Sequence, residues 1–143
     1  MFVLHTQLVK DTVTVGDLGL CRVLLCNDAQ YPWLILVPRR EDVVELFQLS
    51  RIDQQQLLDE ISTVSAALAG HFRADKMNVA ALGNVVPQLH VHVVARFSGD
   101  PAWPRPIWGA HPAQPYEDGA LQQRLLDLEE LLVPLGLQSA HAP

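Results

Sequence analysis

Gly83-Asn84-Val85-Val86-Pro87-Gln88-Leu89-His90-Val91-His92-Val93-Val94-Ala95-Arg96-Phe97 is the stretch around which the rest of the chain is organised. From Gln88 onward polar and apolar residues alternate, which is the period of a half-buried β-strand. Successive side chains of a strand point to opposite faces. Leu89, Val91, Val93, Ala95 and Phe97 therefore share one face, and Gln88, His90, His92, Val94 and Arg96 the other. Two imidazoles stand on one surface with Cα atoms roughly 6.5–7 Å apart. An apolar strand face is easily buried, but two neighbouring histidines need a chemical reason.

Working outward, Lys76 to Leu82 reads as a strand that enters the Gly83-Asn84 turn. Upstream of it, Leu57, Ile61, Val64, Leu68 and Phe72 recur at helical spacing and predict an amphipathic helix over about 51–71. Ser50 is placed to cap it, with Asp53 at the third helical position. Asp42 to Leu49 fits one or two helical turns. Arg39-Arg40 beside Glu41-Asp42 reads as a solvated turn, not a phosphate clamp. Leu20 to Cys26 and Trp33 to Val37 predict a hairpin of two central strands joined at Asn27-Asp28-Ala29-Gln30. Pro38 falls where it breaks no ladder bond the sheet needs. Thr12 to Val15 alternates and ends at Gly16-Asp17, a strand and a turn.

Beyond Phe97 the texture changes. Five prolines and two tryptophans, Trp103 and Trp108, fall within residues 98–115 and predict an arm that is neither helix nor central strand. The tryptophans are placed to cover a sheet or a partner subunit. Leu121, Leu125, Leu128 and Leu132 give a second amphipathic helix that stops at Pro134 and Gly136. Residues 137–143 are expected to fray. The order of elements predicts an α+β fold, a sheet with helices packed on it. The expected organisation is a single domain over residues 1–143, with its core in 1–97 and the arm and last helix in 98–143.

Composition narrows the function. The chain has 143 residues, enough to bury a core without disulfides or metals. Its net charge of −6 argues against a nucleic-acid polymer as partner. An anionic small substrate remains compatible, because backbone N–H groups bind phosphate without net positive charge. Cys21 and Cys26 are the only cysteines and read as thiols of a reducing compartment. No basic segment followed by an apolar run opens the chain, and no apolar run is long enough for a membrane span. The expectation is a cytoplasmic protein without a membrane partner.

Three readings fit His90 and His92. They can be an incidental structural pair. They can bind a metal, since imidazoles two apart on a strand reach one ion. That reading lacks further ligands, because His5, His71, His111 and His141 form no second spaced motif. The third is nucleophilic catalysis at phosphorus, which needs one ring nitrogen bare and aimed while the other donates to a fixed acceptor. The Gly83-Asn84 turn can approach an anion closely, and the second histidine can supply charge or a proton.

The run Asn78-Val79-Ala80-Ala81-Leu82-Gly83-Asn84 with Pro87-Gln88-Leu89-His90-Val91-His92-Val93-Val94 resembles the signature of the histidine triad (HIT) superfamily. In that signature three histidines alternate with apolar residues. The resemblance extends to Leu34-Ile35-Leu36-Val37-Pro38-Arg39, to the helix between and to Arg96, roughly residues 20–97. It implies an antiparallel sheet carrying one long helix. It also implies metal-independent hydrolysis or transfer at the α-phosphate of a nucleotide, through a covalent nucleotidyl-histidine.

By position the nucleophile is His90, and His92 lies near the phosphate or the leaving group. Gly83 and Asn84 match the phosphate-contacting turn, and Asn78 an asparagine on the preceding strand. Asn27 or Asp28 resembles the ribose-binding position. A homodimer formed through the sheet edge and helix is the implied assembly. Two positions depart from the pattern. The first triad position is Gln88, and Trp33 stands where many members have a histidine neighbouring it. Both change together, so the supporting shell is expected to be repacked. In that reading the backbone carbonyl of residue 88 still accepts the His90 N–H, and the Gln88 amide is available to hold a neighbour. Trp33 itself fits either the core or the wall of a base pocket.

Overall fold

The computed structural model describes residues 1–141. Its elements run α1 (Thr6–Asp11), β1 (Thr12–Asp17), β2 (Cys21–Cys26), β3 (Trp33–Pro38), a 3-10 turn at Leu46–Gln48, α2 (Arg51–Phe72), β4 (Lys76–Ala80), β5 (Val91–Arg96), α3 (Asp118–Leu132), a 3-10 turn at Val133–Leu135 and β6 (Gln138–Ser139). The strands form one six-stranded antiparallel sheet in the order β4-β5-β3-β2-β1-β6. The α+β fold expected from the pattern is the one observed. β4 is an edge, and β5, the histidine strand, lies between β4 and β3.

The long helix forms where the leucine spacing placed it. Ser50 Oγ accepts from the Asp53 amide at 3.1 Å, the N-cap bond expected there. At the other end Arg73 takes a left-handed conformation, φ 53°, and its N–H closes onto the Ala69 carbonyl. The helix buries Leu57, Val64 and Leu68 against Leu89, Val91 and Val93 of the strand pattern and against Val23, Leu34 and Leu36. Glu60 shares that buried row. Its carboxylate accepts from the Leu20 and Cys21 amides at 3.0–3.2 Å, which ties α2 to the start of β2. The α3 leucines Leu125, Leu128 and Leu132 complete this core.

The opposite face of the sheet has two separate covers. The N-terminal segment lays Phe2, Leu4 and Leu8 over Leu24, Ile35, Val37 and Val86. The proline-rich arm lays Ala102, Ile107 and Trp108 over Tyr31, Trp33 and Val94. His90 and His92 lie on this face.

Some elements differ from the reading of the sequence. α1 has too few apolar positions to show a helical stripe, and it forms because His5 Nδ1 caps it at the Gln7 amide. β4 ends at Ala80, two residues short of Leu82, where the chain turns into the Gly83 loop. Residues 137–141 do not fray. Leu137 is buried in the main core and draws β6 onto β1, where Gly16 pairs with Ser139 and Asp17 with Gln138. A Cβ at Gly16 would stand 2.3 Å from the Gln138 carbonyl oxygen, so glycine is what allows this close approach. Residues 142 and 143, also expected to fray, lie outside the described residues.

Candidate active site

The site is built from β5 and its neighbour β3. Across the ladder His92 faces Ile35 on β3 and Ala80 on β4, and Trp33 faces Val94. The two imidazoles lie with ring centroids 5.1 Å apart, and both are buried. Their partners fix their protons in opposite ways. His90 Nδ1 is 2.6 Å from the backbone carbonyl of Gln88. A carbonyl only accepts, so Nδ1 carries the proton and Nε2 of the neutral ring is bare. His92 Nδ1 receives the indole N–H of Trp33 at 2.9 Å. An indole N–H only donates, so here Nδ1 is bare and Nε2 carries the proton.

Burial, with a smaller contribution from the neighbouring His90, lowers the His92 pKa to about 4. Trp108, reaching in from the arm, stacks edge-on to both Trp33 and His92 at centroid distances of 6.5 and 5.4 Å. His92 thus sits in an aromatic box of two indoles.

Beside His90 a cavity of about 210 Å³ opens. Gly83, Asn84, Pro87 and Gln88 line one part of it, and Val44, Glu45 and Leu46 another. Gly83 has φ +75°, a conformation glycine alone enters freely, and this bends the loop toward the histidine strand. His90, Gly83, Asn84 and Gln88 are therefore brought to one place.

The remaining candidates are placed differently. The Asn78 side-chain oxygen accepts from Arg96 Nη1 at 2.8 Å. The Asn27 side-chain oxygen accepts from the Tyr116 amide at 3.0 Å, and Asp28 Oδ1 accepts from the Gln30 and Gln114 amides. These two residues fasten the end of the arm. Arg96, on the histidine face of the strand, forms an ion pair. Its guanidinium meets Asp100 at 2.7 Å with both side chains almost fully buried. The Gln88 side chain bonds to the N-terminal segment. Its Oε1 accepts from the His5 amide at 2.8 Å and its Nε2 donates to the Val3 carbonyl at 2.9 Å. Among the described residues no three of His, Cys, Asp and Glu gather as a metal site, so no third side chain of these types joins His90 and His92.

Trp108 is the site residue the sequence reading did not place. The signal was compositional, a tryptophan in a proline-rich arm, and carried no period to say which surface it would cover.

The HIT domain family model matches residues 7–99, about two thirds of the chain. The chain belongs to the HIT family. A histidine triad protein from Bradyrhizobium japonicum is 50% identical over 90% of this chain and 96% of its own, with a TM-score of 0.88. One from Marinobacter aquaeolei VT8 is 48% identical over 95% of this chain and 99% of its own, with a TM-score of 0.93. A HIT protein from Sinorhizobium meliloti 1021 is 45% identical, covering 89% and 96%, with a TM-score of 0.85. Among curated proteins none matches the chain. Among the described residues no helix of this HIT protein is long and apolar enough to cross a membrane.

Proposed function

We propose that this HIT protein hydrolyses or transfers nucleotides at the α-phosphate of nucleoside phosphoramidates or nucleoside (poly)phosphate derivatives, with His90 as nucleophile. The observation that carries this reading is the Gln88 carbonyl at 2.6 Å from His90 Nδ1, which leaves Nε2 bare beside the cavity lined by Gly83 and Asn84. The Nε2 lone pair attacks phosphorus and forms a P–N bond. The bond from phosphorus to the leaving nitrogen or oxygen breaks, its electron pair departs with that atom, and solvent protonates it. Water then attacks phosphorus and gives its proton to solvent, and the P–N electron pair returns to His90. His92 donates from Nε2 to the charge that develops on the phosphate. Gly83 and Asn84 hold the phosphate. Gln88 acts through its backbone carbonyl, and Asn78, Asn27 and Asp28 support the walls around the site.

Incubation with a labelled nucleoside phosphoramidate, quenched in alkali, is expected to leave label on His90. His90→Ala should lose both the label and at least about 10³-fold in turnover. Nucleotide binding with neither label nor turnover would make the chain a binding protein.

A homodimer through β4 fits the same reading. β4 leaves one side of its ladder unpaired, and Val79, Leu82, Val85, Leu46 and Phe47 expose apolar surface. Sedimentation equilibrium at micromolar concentration should give twice the chain mass, and a monomer mass would remove this assembly.

A further inference from the structure

We propose that Trp33 is a positioning residue, whose indole N–H locks His92 in the neutral tautomer protonated at Nε2, so that phosphate meets a fixed neutral donor and not an imidazolium. The catalytic meaning of this lock rests on the reading of His90 given above.

The indole has one donor and no acceptor. With Trp33 Nε1 at 2.9 Å from His92 Nδ1, a proton on Nδ1 would oppose N–H to N–H, and the contact would have to break. A hydrogen bond made to the neutral form disfavours the charged form. Nothing packed around His92 offsets this. β3 supplies Trp33 and Ile35, β4 supplies Ala80, and the arm supplies Trp108. Among the described residues the ionisable group facing the ring is His90, whose charge would repel a second one on His92. Further along β5, Arg96 has its charge matched by Asp100. The low pKa of His92, about 4, agrees with this geometry.

A consequence follows for the chemistry. A neutral imidazole gives a hydrogen bond but keeps its proton, so His92 acts as an electrostatic stabiliser and not as a general acid. It also holds the same state on either side of neutrality. The replacements at positions 33 and 88 then divide the work: a backbone carbonyl sets the tautomer of His90, and an indole sets that of His92.

Two replacements test the lock, Trp33→Phe and an isosteric one in which benzothienylalanine at position 33 keeps the two-ring shape but lacks the N–H. Histidine ¹⁵N spectra of the native chain should show His92 bare at Nδ1 and protonated at Nε2 from pH 5 to 8. In the isostere the His92 midpoint should rise by about one pH unit, the value of one hydrogen bond lost to the neutral form. Its kcat should fall by about tenfold with KM changed less than about threefold. The isostere guards against a Phe variant that simply misfolds. A native His92 protonated at Nδ1, or an isostere with unmoved tautomer and midpoint, would overturn the proposal. Label on His90 with unmoved spectra would sink the lock and keep the enzyme reading. Shifted spectra without any label would overturn the enzyme reading, and with it the catalytic meaning of the lock.

Discussion

The two covers on the histidine face are fastened in opposite ways. The arm is held by ionised and multiply bonded groups. Arg96 bridges Asp100, Asn78 and the Arg105 carbonyl, and Asp100 also accepts from the Phe97, Ala102 and Trp103 amides. Its far end is pinned to Asn27 and Asp28. The N-terminal segment rests on apolar contacts, the neutral amide of Gln88 and a solvent-exposed ion pair between the Met1 ammonium and Glu41. Buried charge makes a fastening that is costly to undo, whereas neutral hydrogen bonds exchange with water at little net loss. The arm carries Trp108 to His92, so the cover with a chemical wall is the more strongly fastened one. The segment at Gln88 is the more weakly fastened one.

The difference is broken most severely at Arg96. Arg96→Ala leaves Asp100 buried and unpaired and is expected to lower unfolding free energy by about 3–5 kcal/mol, measured by urea denaturation. Amide exchange should quicken first in residues 98–110. Acid reaches the same fastening. Burial alone would raise the Asp100 pKa, but the Arg96 hydrogen bonds and the Phe97 and Trp103 amides outweigh it and hold the carboxyl below its ordinary value. The unfolded chain therefore takes up this proton first, at about pH 3.9. Stability from Asp100 is present above that pH and is lost as pH falls through the lower folded value. Arg96→Ala should flatten the stability profile in this acid range. An equally steep profile in the variant would place the acid sensitivity elsewhere.

Much of this plan was legible along the chain and some of it was not. The β2–β3 hairpin, the capped helix and the face alternation of Val91 to Arg96 depend on local period and appear where the pattern puts them, although the strand itself begins at Val91 and not at Gln88. Glu60 had a readable signal, since it falls three residues after Leu57 and four before Val64, on the apolar stripe itself. A carboxylate there needs buried donors, and Leu20 and Cys21 provide them. Gln88 could be assigned its backbone role because a carbonyl survives any substitution. The Trp33–His92 bond joins residues 59 apart in the chain, and the arm's ties span still longer separations. No periodicity records such pairs. They depend on which strands become neighbours and on where an aperiodic, proline-rich segment lands.

The weaker fastening gives the smaller and more discriminating effect. Gln88→Ala removes two neutral hydrogen bonds and leaves the carbonyl that fixes His90 in place. A stability loss of about 1–2 kcal/mol is expected, since each such bond contributes about 0.5–1.5 kcal/mol net. Amide exchange should quicken in residues 3–11 and stay unchanged in the arm, the reverse of the Arg96 variant. Turnover should fall by less than about tenfold, with KM moving more than kcat, because the segment borders the site without touching the reacting atoms. Loss of turnover as complete as that of His90→Ala would make the Gln88 side chain part of the chemistry. The N-terminal cover would then be a structural member of the active site, and the contrast with the arm would vanish.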